Sequence, residues 1–165
     1  SSNTREFTAD TGENIFRRSV YTFWKRGMPP PQMTILDAPT RESCIARRER
    51  TNTPLQALLM MNEEQYFSAA QQIAGHLIAN PTSSERQRIT HAFETMTSQI
   101  PDEEELAAIS MGLATLKTVY EKDRAALQQL TSNWELLDDH QRVELAAYTI
   151  MVNTLLNLDI TKTRE

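Results

Sequence analysis

The sequence predicts an all-α protein: an irregular bundle of five to seven helices with a buried C-terminal helix and a proline-rich N-terminal loop. The first observation behind this is helix capping. A capping residue is followed three positions later by Glu or Gln at Thr53/Gln56, Asn62/Gln65, Thr82/Glu85, Asp102/Glu105 and Asp138/Gln141. The second is the recurrence of apolar residues at helical spacing, and the third is the lack of any alternating pattern long enough for a sheet. The five capping pairs predict at least five helices.

The N-terminal part of the chain combines a helical pattern with an irregular one. Ile15 or Phe16, Val20, Phe23 and Trp24 follow helical spacing, so we expect at least part of this aromatic set in the core. From 29 to 42 the chain reads PPPQMTILDAPTRE, an irregular segment whose three prolines predict an extended entry. The following Asp37-Ala38-Pro39 predicts a turn that leads into a short helix.

The stretch RRERTNTPLQALLMMN, residues 47–62, sets a polar segment directly before an apolar helix. Thr53 is suited to the N-cap and Pro54 to the first helical position, where its missing N–H costs nothing. The helix body from Leu55 to Met61 is so apolar that we expect it to be buried nearly all round. We interpret Arg41, Arg47, Arg48 and Arg50 as anchors that tie the 29–52 loop to acidic groups, with contacts to an anionic ligand as the alternative.

Four further segments carry the pattern of packed helices. Each of the first three, 63–79, 83–98 and 103–121, places apolar residues along one face. These faces are Phe67, Ala70, Ile73, Ala74, Leu77 and Ile78; then Ile89, Ala92, Phe93 and Met96; then Leu106, Ile109, Leu113, Leu116 and Tyr120. The fourth segment, 139–157, is apolar on nearly every side, so we expect it to be the central helix.

The residues that could carry metal or redox chemistry are few. The acidic run from Asp102 to Glu105 lies at a helix N-terminus, where we interpret it as a cap and not as a metal site. His76, His91 and His140 contain no close ligand pair, so no metal site is predicted. The single Cys44 excludes an internal disulfide, and we expect it to be a small buried packing residue. No CxxCH haem motif occurs, so no cofactor is expected in this segment.

Composition and charge narrow the classes of partner. The chain has 165 residues and a formal net charge of −5, and no apolar run approaches a membrane span. It begins with Ser1, and we expect it to be a processed or excised piece of a longer protein. Residues 1–50 carry nine Lys/Arg against six Asp/Glu, whereas 51–165 carry eight against sixteen. A basic and aromatic set superficially suits nucleic acid: Arg17, Arg18, Tyr21, Phe23, Trp24, Lys25 and Arg26. The negative total charge and the helical spacing of its aromatics argue against that partner.

Two stretches carry a resemblance to a known family: ENIFRRSVYTFWKRGMPPPQMTILDAPTRESCIARRERTNTPLQALLMMN at 13–62 and LLNLDITKTRE at 155–165. They resemble the planctomycete surface-domain family, a C-terminal domain of unknown function in large exported multidomain proteins. The similarity is dense over 13–79 and 143–165. The family's characteristic positions fall here on Arg17, Arg18, Tyr21, Trp24, Lys25, Arg26, Pro30, Asp37, Pro39, Arg41, Glu42, Arg47, Arg50, Thr51, Asn52, Thr53, Pro54 and Gln56.

The resemblance implies an extracytoplasmic setting, in the periplasm or at the cell surface, with neighbouring domains of the same polypeptide as partners. In the family these often include a cytochrome-c-like domain. We therefore expect residues 1–165 to be one helical domain at the C-terminal end of a larger protein. Its parts would be a signature segment at 13–79, a helical pair and connector at 83–131, and a central helix with a tail at 138–165.

Three hypotheses of function remain open at this point. The first is a non-catalytic helical scaffold that packs on neighbouring domains. The second is a carbohydrate-binding or anion-binding site, or a catalytic one, in which Asp37, Glu42 and the arginines supply polar groups and Tyr21 or Trp24 a stacking face. A paired-carboxylate mechanism would need one raised pKa, which neighbouring arginines oppose. A metal site is the third, and the sequence favours a segment without catalytic activity of its own.

Overall fold

The structure is a computed structural model and describes residues 12, 14, 17–22, 24, 29–40, 42–47, 49–79, 82–134 and 136–162. These residues form helices, turns and loops and contain no strand, which confirms the predicted all-α class. The chain divides into two compact units, residues 1–48 and 49–165. The expectation of a single domain over 1–165 stays a prediction.

The described residues of the first unit contain one short α-helix, α1 (Pro31–Ile35). The predicted extended entry reaches only to Pro30, with φ −58° and ψ 129°, because the fixed φ of Pro31 suits the first position of a helix. The helix also precedes the turn at Asp37, whereas we expected one to follow it. Asp37 is left-handed with φ 58°, and the amide of Ala38 donates to the Met33 carbonyl at 2.8 Å, a Schellman-type end.

The first unit departs from the predicted helical spacing at Val20 and from the predicted burial at Cys44. Val20 lies in a single 3-10 turn, Ser19–Tyr21, and is 74% exposed. One such turn does not continue the 3.6-residue period that would place Val20 on a common face with its neighbours. Trp24 is half-buried, and the rest of this aromatic set lies outside the described residues. Cys44 is exposed in an irregular, solvated loop, so the expected buried packing role is also wrong.

The second unit contains seven described helices. They are α2 (Pro54–Asn62), α3 (Glu64–Ile78), α4 (Glu85–Thr97), α5 (Glu103–Lys122), α6 (Arg124–Leu130), α7 (Asp139–Leu156) and α8 (Asp159–Lys162). Three predicted caps are confirmed as reciprocal capping boxes that begin α2, α5 and α7: Thr53 with Gln56, Asp102 with Glu105, and Asp138 with Gln141.

The other two predicted caps are wrong in register. α4 begins two residues later than predicted, because Ser84 and not Thr82 is its N-cap and forms the capping box with Gln87. Asn62 does not begin a helix but ends α2, where its side-chain amide donates to the Leu58 carbonyl at 2.8 Å. The chain then enters α3 without a side-chain cap.

The core of the second unit lies around α7, which packs against α2, α3, α4, α5, α6 and α8. The predicted central helix is therefore confirmed. Ten of its residues are buried: Val143, Leu145, Ala146, Ala147, Tyr148, Thr149, Met151, Val152, Asn153 and Leu155. The apolar faces predicted on three other helices meet it, with Ala70, Ala74 and Leu77 from α3, Ile89, Ala92, Phe93 and Met96 from α4, and Leu106 and Leu113 from α5.

The helix α2 is the main departure from the predicted core. Leu55 and Leu58 are 55% and 57% exposed, Met61 is exposed as well, and Gln56 alone among its residues is buried. The expectation that α2 is buried nearly all round is therefore wrong. The physical reason is its position: within the second unit α2 packs mainly against α3 and α7, and these helices do not cover Leu55, Leu58 and Met61.

Candidate functional site

The polar segment before α2 is organised around the buried side chain of Gln56. Its Oε1 accepts a hydrogen bond from the Thr53 amide at 3.1 Å, and its Nε2 donates to the Thr51 hydroxyl at 3.0 Å. The Thr53 hydroxyl accepts in return from the Gln56 amide at 3.3 Å. We call residues 49–53 the hinge. Its threonines are thus held by the side chain three to five positions later in the chain.

The hinge is joined to the other end of the second unit. The side-chain amide of Asn52 donates to Asp159 Oδ1, a contact that spans 107 positions of sequence. Close by in the chain, Asn157 Nδ2 donates to the Ala57 carbonyl of α2 at 3.1 Å. We call residues 157–162 the tail. Two hydrogen bonds therefore connect the hinge and α2 with the tail. They join the two stretches, 13–79 and 143–165, in which the sequence similarity to the family is dense.

The tail is itself closed by local contacts. The Thr161 hydroxyl donates to the Leu155 carbonyl at 2.8 Å, and Lys162 Nζ lies 3.8 Å from Asp159 Oδ1. Asn157 is only half satisfied, because its Oδ1 is buried and has no hydrogen-bond partner among the described residues. Leaving such an acceptor unpaired costs about 1–3 kcal/mol. The contact between hinge and tail is therefore formed by hydrogen bonds, and Asn157 Oδ1 is its one buried polar atom without a partner among the described residues.

The structure distributes the predicted site residues unevenly. Most of those described are exposed: Arg17, Arg18, Tyr21, Glu42, Arg47, Arg50 and Asn52. Trp24 and Asp37 are half-buried, while Lys25, Arg26, Arg41 and Arg48 lie outside the described residues. Asn52 joins a distant part of its unit through its hydrogen bond to Asp159. The arginine anchor between the 29–52 loop and the acidic remainder stays a prediction.

A second polar cluster was not predicted, and it lies where α4, α5 and α7 meet. Lys117 Nζ is 2.8 Å from Glu85 Oε2 and 3.4 Å from Glu144 Oε1. Arg88 Nη1 reaches the same Glu144 oxygen at 3.5 Å. Both cations also lie over the ring of Tyr148, at 5.9 Å for Arg88 and 5.7 Å for Lys117. The fully buried Tyr148 is thus covered by two cations that two carboxylates hold in place.

The pKa values in this cluster shift as an ion-pair network requires. The hydrogen bond from Lys117 lowers the pKa of Glu85, against the opposing effect of burial. Burial disfavours the charged form of Lys117, but the hydrogen bond and attraction from Glu85, helped by Glu144, raise its pKa above the ordinary value. Burial raises the pKa of Tyr148, although the two cations oppose the rise. Every one of these shifts keeps each group in its usual charge state near neutral pH.

The Tyr148 cluster has the features of a structural network. The Tyr148 hydroxyl is buried and has no hydrogen-bond partner among the described residues. The charged groups form ion pairs across α4, α5 and α7 and so stabilise the packing of these three helices. Sequence reasoning missed the cluster because its members come from positions 85, 88, 117, 144 and 148. The only signal was that Lys117 and Glu144 each interrupt an apolar helical pattern.

Among the described residues there is neither a group of metal ligands nor a helix that could span a membrane. His76, His91 and His140 are all exposed, and no group of three His, Cys, Asp or Glu side chains in that part of the chain could hold a metal ion. A search of the described helices finds none with the length and apolar character needed to cross a membrane.

Comparison with known proteins gives one result. The model of the family PSD1, described as a protein of unknown function (DUF1553), matches residues 1–113. The matched segment runs from the N-terminus through the hinge, α2, α3 and α4 into the middle of α5. No curated protein and no solved structure matches the chain.

Proposed function

This chain belongs to the PSD1 family of proteins of unknown function, and from that premise we propose that it is a non-catalytic helical scaffold or interaction module. The proposal includes its setting, an exported multidomain protein, and its partners, the neighbouring domains of the same polypeptide. An extracytoplasmic location, in the periplasm or at the cell surface, is part of the same proposal.

The proposal rests on one observation: the polar side chains of the hinge form hydrogen bonds within the protein. Thr51, Thr53 and Gln56 bond one another around the start of α2, and Asn52 bonds the tail residue Asp159. A binding site leaves polar groups free to converge on a ligand, whereas these groups are occupied within the protein. Their pattern supports a structural role, in which the hinge fixes the start of α2 against the end of α7.

The surface of α2 supports an interaction role in particular. Leu55, Leu58 and Met61 follow one another at intervals of three residues and stay exposed. An exposed apolar stripe of this kind is common where a protein meets another one. The rigid core around α7 would present this stripe in a fixed orientation, as a scaffold requires.

The proposal is tested by removing the hinge-to-tail bond. We expect Asn52→Ala to lower the free energy of unfolding by about 0.5–1.5 kcal/mol, since one hydrogen bond is lost. In a double-mutant cycle, Asp159→Ala should cost less in the Asn52→Ala background than in the wild type, because the bond between the two residues is already lost. Asn133→Ala is the matched control, because Asn133 is exposed and its side chain makes no hydrogen bond to another described residue. Urea denaturation followed by circular dichroism measures the wild type, the two single variants, the double variant and the control.

The same samples test the alternative, a site for a glycan or an anion. One observation favours it: Arg17 and Arg18 are exposed beside Tyr21, which is 74% exposed and could stack on a sugar ring. Thermal melts with inorganic phosphate and a glycan panel separate the two functions. Stabilisation of the wild type that Tyr21→Ala abolishes would contradict the scaffold proposal and support the binding site. No ligand effect, together with coupling of Asn52 to Asp159, supports the scaffold.

A further inference from the structure

The solvent face of α5 differs from that of an ordinary surface helix. Its inner side packs on the core through Leu106 and Leu113. The two ends of α5 are charged, with Glu103, Glu104 and Glu105 at the start and Glu121 and Lys122 at the end. Residues 106–120 between them carry a single charge, on Lys117, whose side chain pairs with Glu85 and Glu144 beside Tyr148. The opposite side is exposed, and it includes Met111, which is 72% exposed, and Val119. A surface helix usually carries charged and polar residues on that side.

The hydroxyl groups on this face are turned inward. Thr115 Oγ1 donates to the Met111 carbonyl at 2.9 Å, and Thr118 Oγ1 donates to the Ala114 carbonyl at 3.1 Å. Their hydrogen-bond donors are thus satisfied within α5, and the methyl groups are left to extend the apolar surface. The face therefore combines small residues with apolar ones over about three turns.

Gly112 adds an observation that the isolated chain does not explain. It is exposed in the middle of α5, and a Cβ added to it would meet nothing within 4 Å. A glycine in a helix interior costs about 0.8–1.0 kcal/mol relative to alanine. Gly75 of α3, by contrast, has an internal reason to lack a Cβ, because the Trp134 ring packs against it. Gly112 would permit the close approach of another backbone from outside.

The charges at the two ends of this face indicate which partner fits it. Glu104 and Lys122 are 18 positions apart, or five turns at 3.6 residues per turn, so they lie on one side of α5 together with Met111. Neither makes an ion pair with another described residue. The neighbouring Glu103 pairs with Arg86, and the side chain of Glu105 closes the capping box. The face thus has an acid at one end and a base at the other.

Such a face is complementary to itself when a second copy is turned end for end. We propose that α5 is a self-association surface, on which a second copy of this chain docks antiparallel with Glu104 of each copy facing Lys122 of the other. The two-fold axis would pass between Met111 and Thr115, which lie equally far from the two charges. The proposal does not depend on the proposed function, because the residues involved lie outside the hinge and the tail.

The size of the face sets the expected strength. α5 has 20 residues and is about 30 Å long, and a single pair of such helices buries less than the roughly 800 Å² per partner of a standard interface. Association is therefore weak, with a dissociation constant of roughly 10–1000 μM. Sedimentation velocity of the 165-residue chain up to about 1 mM covers this range.

The location of the surface is tested by two matched substitutions of exposed apolar residues. Met111→Lys places a charge near the proposed axis and should weaken dimerisation at least about tenfold, because two like charges meet there. Leu58→Lys, on the exposed stripe of α2, should leave the dissociation constant unchanged. Circular dichroism confirms that both variants are folded. A wild type that stays monomeric up to about 1 mM, or a loss of dimers in Leu58→Lys alone, would overturn the proposal.

The antiparallel arrangement is tested by charge reversal. Glu104→Lys and Lys122→Glu should each weaken self-association about tenfold, because two attractive pairs become two repulsive ones in the symmetric dimer. An equimolar mixture of the two variants should associate again, since each copy then meets opposite charges at both ends. A mixture that associates no better than either variant alone refutes the antiparallel docking.

Discussion

Two glycines in helix interiors of this protein should respond in opposite ways to the same substitution. Gly75 lies in α3 and Gly112 in α5. A Cβ at Gly75 would lie 2.6 Å from Trp134 Cη2 and 3.2 Å from Cζ3, so the indole ring must move. A Cβ at Gly112 would meet nothing within 4 Å. Alanine at either position gains the same helix propensity, and the surroundings decide the sign.

The magnitudes follow from these contacts. Replacing a helix-interior glycine by alanine stabilises by about 0.8–1.0 kcal/mol where the backbone is already helical and space is free. We therefore expect Gly112→Ala to raise the free energy of unfolding by up to about 1 kcal/mol. Overpacking of a filled site typically costs about 1–3 kcal/mol, so Gly75→Ala should be destabilising by roughly 0–2 kcal/mol. The two variants should differ by about 1–3 kcal/mol.

Urea denaturation followed by circular dichroism at 222 nm measures both variants, at a protein concentration low enough to avoid self-association through α5. The contact with Trp134 is isolated by a double-mutant cycle. In a Trp134→Ala background the ring is gone, so Gly75→Ala should become neutral or stabilising. The reasoning is refuted if Gly75→Ala stabilises the wild type as much as Gly112→Ala does, or if Gly75 and Trp134 show no coupling.

Three further predictions use other parts of the structure. Leu145→Ala should lower the free energy of unfolding by about 2–5 kcal/mol through a cavity in the core, against about 1 kcal/mol for loss of the α7 cap in Asp138→Ala, and similar denaturation midpoints would contradict the central place of α7. The pKa of Glu85 is lower in the folded protein than its ordinary value of 4.5. The contribution of Glu85 to the free energy of unfolding is therefore complete above pH 4.5 and is lost as the pH falls through the folded pKa. Glu85→Gln should therefore flatten the acid side of a stability profile, and an unchanged profile would argue against the pairing with Lys117. Cys44 should react with a thiol reagent in the native protein as fast as in urea, whereas strong protection when folded would contradict its exposure.

Local signals predicted the helices well where the interactions are local. The capping boxes at Asp102 and Asp138 involve residues three positions apart, so the sequence contains both partners of each bond. The same logic failed between Thr82 and Ser84, because two overlapping patterns satisfy the rule and the helix can use only one. Periodicity also identified α7, since a helix that is apolar on nearly every side has no stable place except among other helices.

Exposure was harder to predict than helicity. The apolar body of α2 suggested burial, yet burial needs neighbours on every side, and within its unit α2 packs mainly against α3 and α7. The prediction for Cys44 failed for the same reason, because a residue type sets a tendency whereas the path of the chain sets the surroundings. The arginines of the signature were singled out for their charge, and the structure shows that Asn52, a neutral residue of the same signature, bonds to the tail.

The sequence by itself determined the helical class, the starts of α2, α5 and α7, and the central place of α7, because these depend on contacts within a few residues or on one helix considered alone. Only the tertiary structure decided that Asn52 meets Asp159 and that Glu85, Arg88, Lys117 and Glu144 gather around Tyr148. Those partners are distant in sequence, and their meeting depends on how whole helices pack. No local pattern records that packing, because the free energy that selects it is summed over the entire core.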